Sequence, residues 1–163
     1  MDGKLRNMTS LYLTNEMGIL CLYRIGSRVA NKKYIGSAGG HFEAEELNDA
    51  RKCVLRELRE ELGLTETDLI GLRLRYITHR LKDGEIRQNY CFFARLKEER
   101  QMTSSEGILQ WIPYDQIAQL NMPVSAKHMI LHYCNTGRFD ETLYAGITEE
   151  TGTTFLPMVE FEG

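Results

Sequence analysis

The chain has no long block of one charge, no CxxC pair and no apolar stretch near the ~20 residues that a membrane span needs. Its 20 Lys and Arg oppose 23 Asp and Glu for a net charge of −3, so neither a polymeric nucleic-acid partner nor an acidic arm is expected. The four cysteines, Cys21, Cys53, Cys91 and Cys134, stand far apart in apolar runs. That spacing suits small buried hydrophobes better than zinc ligands or a disulfide frame, and it fits a reducing compartment. The N-terminal MDGKLRNMTS is polar where a signal peptide would carry an apolar core. Repeats, low-complexity tracts and linkers are absent as well. A soluble, cytoplasmic protein without a membrane partner is expected, with residues 1–163 forming a single domain.

What is present is a regular succession of short elements. MTSLYLT and ILCLYRI flank the turn signal Asn15–Gly18 and read as a hairpin. Gly26 to Gly40 reads as loops with one brief strand around YIG. Leu47, Ala50, Val54, Leu58 and Leu62 recur at helical steps, with Asn48 or Asp49 as the cap and Gly63 as the terminator. LRLRYITHRL and IRQNYCFFARL, split by Asp83-Gly84, read as a second hairpin. ILQWIP predicts a strand, YDQIAQL a short helix and VSAKHMILHYCNTG a longer helix closed by Gly137. FDETLYAGI and TTFLPMVEF predict edge strands. Antiparallel strands interspersed with helices define an α+β class, a sheet with helices packed on it.

The densest chemistry lies in GGHFEAEELNDARKCVLRELREELGL, Gly39 to Leu64, which holds six glutamates. Glu57, Glu60 and Glu61 fall at i, i+3 and i+4, so three carboxylates share one helix face. A solvated face neutralised by its own arginines would look similar, because like charges at these spacings cost only a few tenths of a kcal/mol, roughly, when exposed. The flanking Gly39-Gly40 favours a site instead, since it lets backbone approach a ligand without a side chain in the way. Oxygen donors of this kind suit a hard divalent cation that also binds phosphate.

Gly40, five residues, Glu46, and then Arg56-Glu57-Leu58-Arg59-Glu60-Glu61-Leu62-Gly63-Leu64 resemble the Nudix box, G-x5-E-x7-R-E-U-x-E-E-x-G-U, where U is aliphatic. The second half matches at every specified position. In the first half nine residues separate Glu46 from Arg56 instead of seven, and an ungapped register would put Asn48 in the place of the first glutamate. Either two residues are inserted, with Glu46 or Glu45 keeping the family's position, or that contact is lost. Insertion is favoured, because Asn48-Asp49 is a good helix start.

The resemblance implies an α/β/α sandwich around a mixed, mainly antiparallel sheet, and a hydrolase acting on phosphoanhydride bonds with Mg²⁺ or Mn²⁺. It implies metal ligands at Glu57, Glu60, Glu61 and the Gly40 carbonyl, and a structural Arg56 that holds Glu46. Arg24, Glu46 and the segment Gly39, Gly40, His41 would make up the substrate-binding part of the site. SSEGILQWIPYDQI resembles the corresponding stretch of MutT-like members, which makes Glu106 a further ligand or the general base. Trp111 and Pro113 read as structural, Trp111 as a buried aromatic. The implied substrate is a small-molecule nucleotide: a nucleoside triphosphate, including the 8-oxo-dGTP type, cleaved to monophosphate and pyrophosphate. Asn121-Met122-Pro123-Val124-Ser125 lacks the paired aspartates of the human-type sanitising enzymes. ADP-ribose or a nucleotide sugar is the rival substrate, and a non-catalytic nucleotide sensor is the rival class. Isopentenyl diphosphate isomerase shares the core, but no cysteine lies near Gly36 to Phe42. A homodimer, common among relatives, is compatible with the C-terminal strands. His128 and His132 have zinc-ligand spacing, but Met129 stands where a metalloprotease glutamate would be, so packing is expected there. Core packing is expected for most of Tyr34, Phe42, Tyr90 and Phe92.

Overall fold

Strand alternation sets the architecture. In the computed structural model, which describes residues 1–26 and 30–163, β1 (Lys4–Thr14) and β2 (Gly18–Arg24) form the expected hairpin, with Leu13 opposite Leu20. The Asn15 side chain closes its turn by accepting the N–H groups of Met17 and Gly18 at 2.8 and 2.9 Å. Two short strands follow, β3 (Tyr34–Ile35) and β4 (Ala38–His41). The loop expected from Gly26 to Gly40 therefore gives way to pairing at the glycines, which lie opposite Thr9 and Ser10 of β1. Residues 27–29 of that loop lie outside the described residues.

β5 (Leu69–Lys82) and β6 (Glu85–Leu96) turn at Asp83 and Gly84, with φ of 54° and 72°, the left-handed pair that a two-residue hairpin needs. After them come β7 (Gly107–Pro113), β8 (Leu143–Glu149) and β9 (Gly152–Met158). Among the described residues these nine strands make one mixed sheet in the order β3-β2-β1-β6-β5-β8-β9, with β4 paired to β1 and β7 to β2. β1 runs parallel to β6 and β5 to β8, and the other pairings are antiparallel. Only β9 is an edge at that end, because β8 lies between it and β5.

α1 (Ala50–Leu62) packs on β1 and β4. Leu11, Leu13, Leu20, Phe92 and Ala94 meet Val54 and Leu58 there in an aliphatic core. Intervening residues of the same strands, Tyr12, Ile19, Cys21, Cys91 and Phe93, face α2 (Val124–Asn135) in a second core rich in aromatic rings. All four cysteines are buried and unpaired.

Three further details differ from the sequence reading. Leu47 is outside α1 and 58% exposed, because Asp49 caps the helix on Lys52 N–H and the preceding 3-10 turn, Ala44–Glu46, buries Glu46 instead. Gly137 is not the left-handed end of α2, which stops at Asn135; a side chain there would run into the Tyr76 hydroxyl. Trp111 is 37% exposed rather than buried, since β7 lies at the outer side of β2.

Candidate functional site

α1 delivers its carboxylates to the glycine strand. Asp49 starts the helix and Gly63, at φ 67°, ends it by donating its N–H to the Arg59 carbonyl at 3.0 Å. Leu58 and Val54 are fully buried beneath, and burying each is worth about 1.5–3 kcal/mol, which fixes the rotation of the helix. That rotation turns Glu57 inward to 9% exposure, against β4.

Both glycines of β4 are dictated by close approach. Gly39 has φ 152° and no room for a side chain above the Thr9 carbonyl. At Gly40, a Cβ would collide with Oε1 of Glu57. The backbone of the glycine strand and the helix carboxylate thus share a space that any other residue would fill.

Arg56 organises the surrounding charges. Its guanidinium donates to Glu46 through Nε and Nη2 at 3.0–3.2 Å, to Glu60 at 2.9 Å and to the His41 carbonyl at 3.0 Å, and it pairs with Glu57 at 2.9 Å. Glu46 is 1% exposed, accepts the Glu43 N–H as well, and is held below the usual carboxylate range chiefly by the Arg56 hydrogen bond. The same bond raises the already high pKa of Arg56. This network rigidly joins the 3-10 turn to the helix.

Glu61 accepts the Gly39 N–H at 3.1 Å. Burial pushes its carboxyl up to about 7; the Glu106 and Glu57 charges push the same way, while the Gly39 N–H and Arg24 oppose them. Glu106 precedes β7 and pairs with Arg24 of β2 at 3.7 Å. Arg24, Glu57, Glu61, Glu106, Gly39 and Gly40 therefore form one neighbourhood built from β2, β4, α1 and the loop before β7. Glu60 is 56% exposed in its side chain and reaches this group only through Arg56. The His41 carbonyl joins it too, but the imidazole lies on the other side of the sheet, where Nε2 accepts from Arg6 at 3.1 Å.

Cys53, expected from the sequence only as a small buried hydrophobe, is buried as expected and also borders the site. It lies under the glycine strand, 3.4 Å from the Thr9 hydroxyl and 3.8–4.0 Å from the carbonyls of His41 and Gly40. Nothing in the sequence around it signals that position. His128 and His132 are not joint ligands: their Nδ1 atoms bond Thr153 at 2.9 Å and Tyr76 at 2.8 Å.

The donor set, all oxygen and mostly carboxylate, suits a hard cation, and the cradle at Gly40 brings a backbone carbonyl strand beside it. Among the described residues no three His, Cys, Asp or Glu side chains stand grouped as a ready-made cage. The helix glutamates are instead held by Arg56 and the Gly39 N–H.

The site is thus an acidic helix face set on a glycine strand, on a mixed sheet that lies between two helices. The family pattern described as NUDIX domain matches residues 4–133. The chain belongs to the Nudix family and is a hydrolase of that class. Its fold is similar to the mutator MutT protein from Bacillus halodurans, at 21% identity over 93% of this chain and 97% of that one, with a TM-score of 0.67. A MutT NUDIX hydrolase from Burkholderia pseudomallei has 20% identity, covers 79% and 97%, and gives 0.60. An Ap4A hydrolase from C. elegans has 12% identity, covers 83% and 99%, and gives 0.64. Comparison with curated proteins found no match. No helix among the described residues is long and apolar enough to cross a membrane.

Proposed function

We propose that the protein hydrolyses a nucleoside triphosphate to the monophosphate and pyrophosphate, using Mg²⁺ or Mn²⁺ held on α1. The observation that carries this reading is the pressing of Glu57 against Gly40, with Glu61 and the Arg24–Glu106 pair beside it. Glu57, Glu60, Glu61 and the Gly40 carbonyl would hold the cation. Such a cation would supply charge neutralisation at the phosphate oxygens and acidify the attacking water.

The chain's own groups do the rest. Arg24 fixes a phosphate and in doing so releases Glu106, which takes the proton from the attacking water. The water oxygen bonds to one phosphorus, the bridging P–O bond breaks, and the leaving pyrophosphate carries the electron pair. Gly39 and His41 offer backbone contacts at the border of the substrate. Arg56 and Glu46 position the helix and touch no reacting atom. Positioning and electrostatics supply the rate.

The test is ion-exchange product analysis after incubation with Mg²⁺ and a panel of nucleoside triphosphates, 8-oxo-dGTP, ADP-ribose, dinucleoside polyphosphates and nucleotide sugars. Triphosphate turnover that is lost in Glu61→Gln is expected. Cleavage of ADP-ribose or sugar nucleotides alone would replace the substrate, and binding without any cleavage would favour the non-catalytic sensor.

A further inference from the structure

On the sheet face opposite α1, side chains of β1, β6 and β5 stand in cross-strand rows. Lys4, Glu85 and Lys82 form the outermost row, Arg6, Arg87 and Arg80 the next, and Met8, Asn89 and Thr78 the third. The six positions of the first two rows therefore hold five cations and one acid, on a chain whose net charge is −3. Like charges placed directly opposite on neighbouring strands are destabilising.

The available acids serve only part of the row. Glu85 pairs with Arg87 at 3.1 Å and with Arg6 at 4.0 Å, and Asp83, at the exposed turn, pairs with Arg87 at 3.8 Å. Arg80 has no acidic partner among the described residues and is only half-exposed. Burial, then the charges of Arg87 and Arg6, press its pKa down, the mark of a cation left uncompensated.

The row also begins where the candidate site ends. Arg6 donates to the His41 ring at 3.1 Å, while the His41 carbonyl accepts from Arg56 on the α1 side at 3.0 Å. His41 directly follows Gly40, and Arg6 lies three residues along β1 from the partner of Gly40, roughly 10 Å at the strand rise. His41, at the end of β4, thus touches Arg6 of the row with its ring and Arg56 of α1 with its carbonyl. Planar guanidinium forks recognise phosphate oxygens bidentately, which a lysine does not do.

We propose that Arg6, Arg87 and Arg80 form a phosphate subsite for the far, phosphate-bearing end of the substrate. This rests on the reading that the α1 face handles a phosphoanhydride. The substrate class it selects is a nucleotide with phosphate groups beyond the bond that is cut.

The first measurement is calorimetric titration of inorganic tripolyphosphate into the metal-free protein in EDTA, which needs no turnover and so stands apart from the hydrolysis reading. Arg80→Gln and Arg87→Gln are each expected to weaken binding about tenfold or more, Arg80→Lys to recover part of it, and Arg138→Gln, in the turn after α2, to leave it unchanged. Thermal melts of the variants within a few degrees of the wild type exclude a folding defect. Tripolyphosphate binding that is equal in wild type, Arg80→Gln and Arg87→Gln overturns the subsite. In steady-state assays on the nucleotide found by product analysis, Arg80→Gln should raise KM about tenfold with kcat unchanged. An unchanged KM despite lost tripolyphosphate binding overturns the assignment to the substrate's end.

Discussion

The two faces of the sheet draw on the same strands and are built differently. Leu11, Leu13, Leu20, Phe92 and Ala94 give α1 a mainly aliphatic bed, whereas Tyr12, Tyr76, Phe93 and Tyr144 give α2, with its own Tyr133, an aromatic one with polar handles. Small branched side chains let α1 and the glycine strand approach until Glu57 touches Gly40. On the other face ring stacking fills the space, as between Phe93 and Tyr133 at 4.0 Å and Tyr76 and Tyr144 at 5.5 Å. The groups of the candidate site thus stand on the face where position is fixed by close contact, while ring stacking fills the other.

Truncation should break this contrast most strongly. Leu58→Ala removes the fully buried centre of the α1 bed and is expected to cost about 2–5 kcal/mol in urea denaturation. Met129→Leu, a volume-conserving change at an equally buried place under α2, should cost less than about 1.5 kcal/mol.

The glycines sharpen the comparison next. Gly40→Ala forces Glu57 aside, and turnover should fall about 100-fold with the far-UV spectrum unchanged. Gly137→Ala collides with Tyr76 on the other face and should cost roughly 1–3 kcal/mol of stability while turnover persists. If Gly137→Ala were the one to abolish turnover, the division of labour would be wrong.

A smaller effect is expected at Tyr76→Phe, which takes the hydroxyl away from His132 and should cost about 1 kcal/mol.

The two faces should also respond to pH in opposite senses. His132 is pushed below its ordinary pKa by burial, so the unfolded chain binds more protons and stability falls as pH drops below about 6.5. Without metal, Glu61 is pushed up to about 7, so the folded chain binds more protons and stability falls as pH rises from about 4.5 through 7. Urea titrations in EDTA should therefore show Glu61→Gln gaining on the wild type above neutrality. His132→Gln should flatten the acid side of the profile.

Much of this was legible in the residues. Both hairpins, α1 with its Asp49 cap and Gly63 stop, and the Glu57, Glu60, Glu61 face follow from periodicity, turn chemistry and the box. The strand character of Gly39-Gly40 was hidden, because glycine carries no strand propensity and only the pairing with β1 reveals it. Trp111 was misread because burial depends on where β7 falls in the sheet, which alternation alone does not give. The arginine row was invisible for the same reason: Arg6, Arg80 and Arg87 become neighbours only through the β1–β6 and β5–β6 registers. Cys53 acquires its contacts by the same long-range route.

The most direct test of a cation held between α1 and the glycine strand is Mn²⁺ binding, followed by electron paramagnetic resonance of the free ion. The wild type should bind, Glu57→Gln and Glu61→Gln should each lose about tenfold or more in affinity, and His128→Gln should bind as the wild type does. Equal Mn²⁺ affinity in all four proteins would contradict a metal site on the glutamate face.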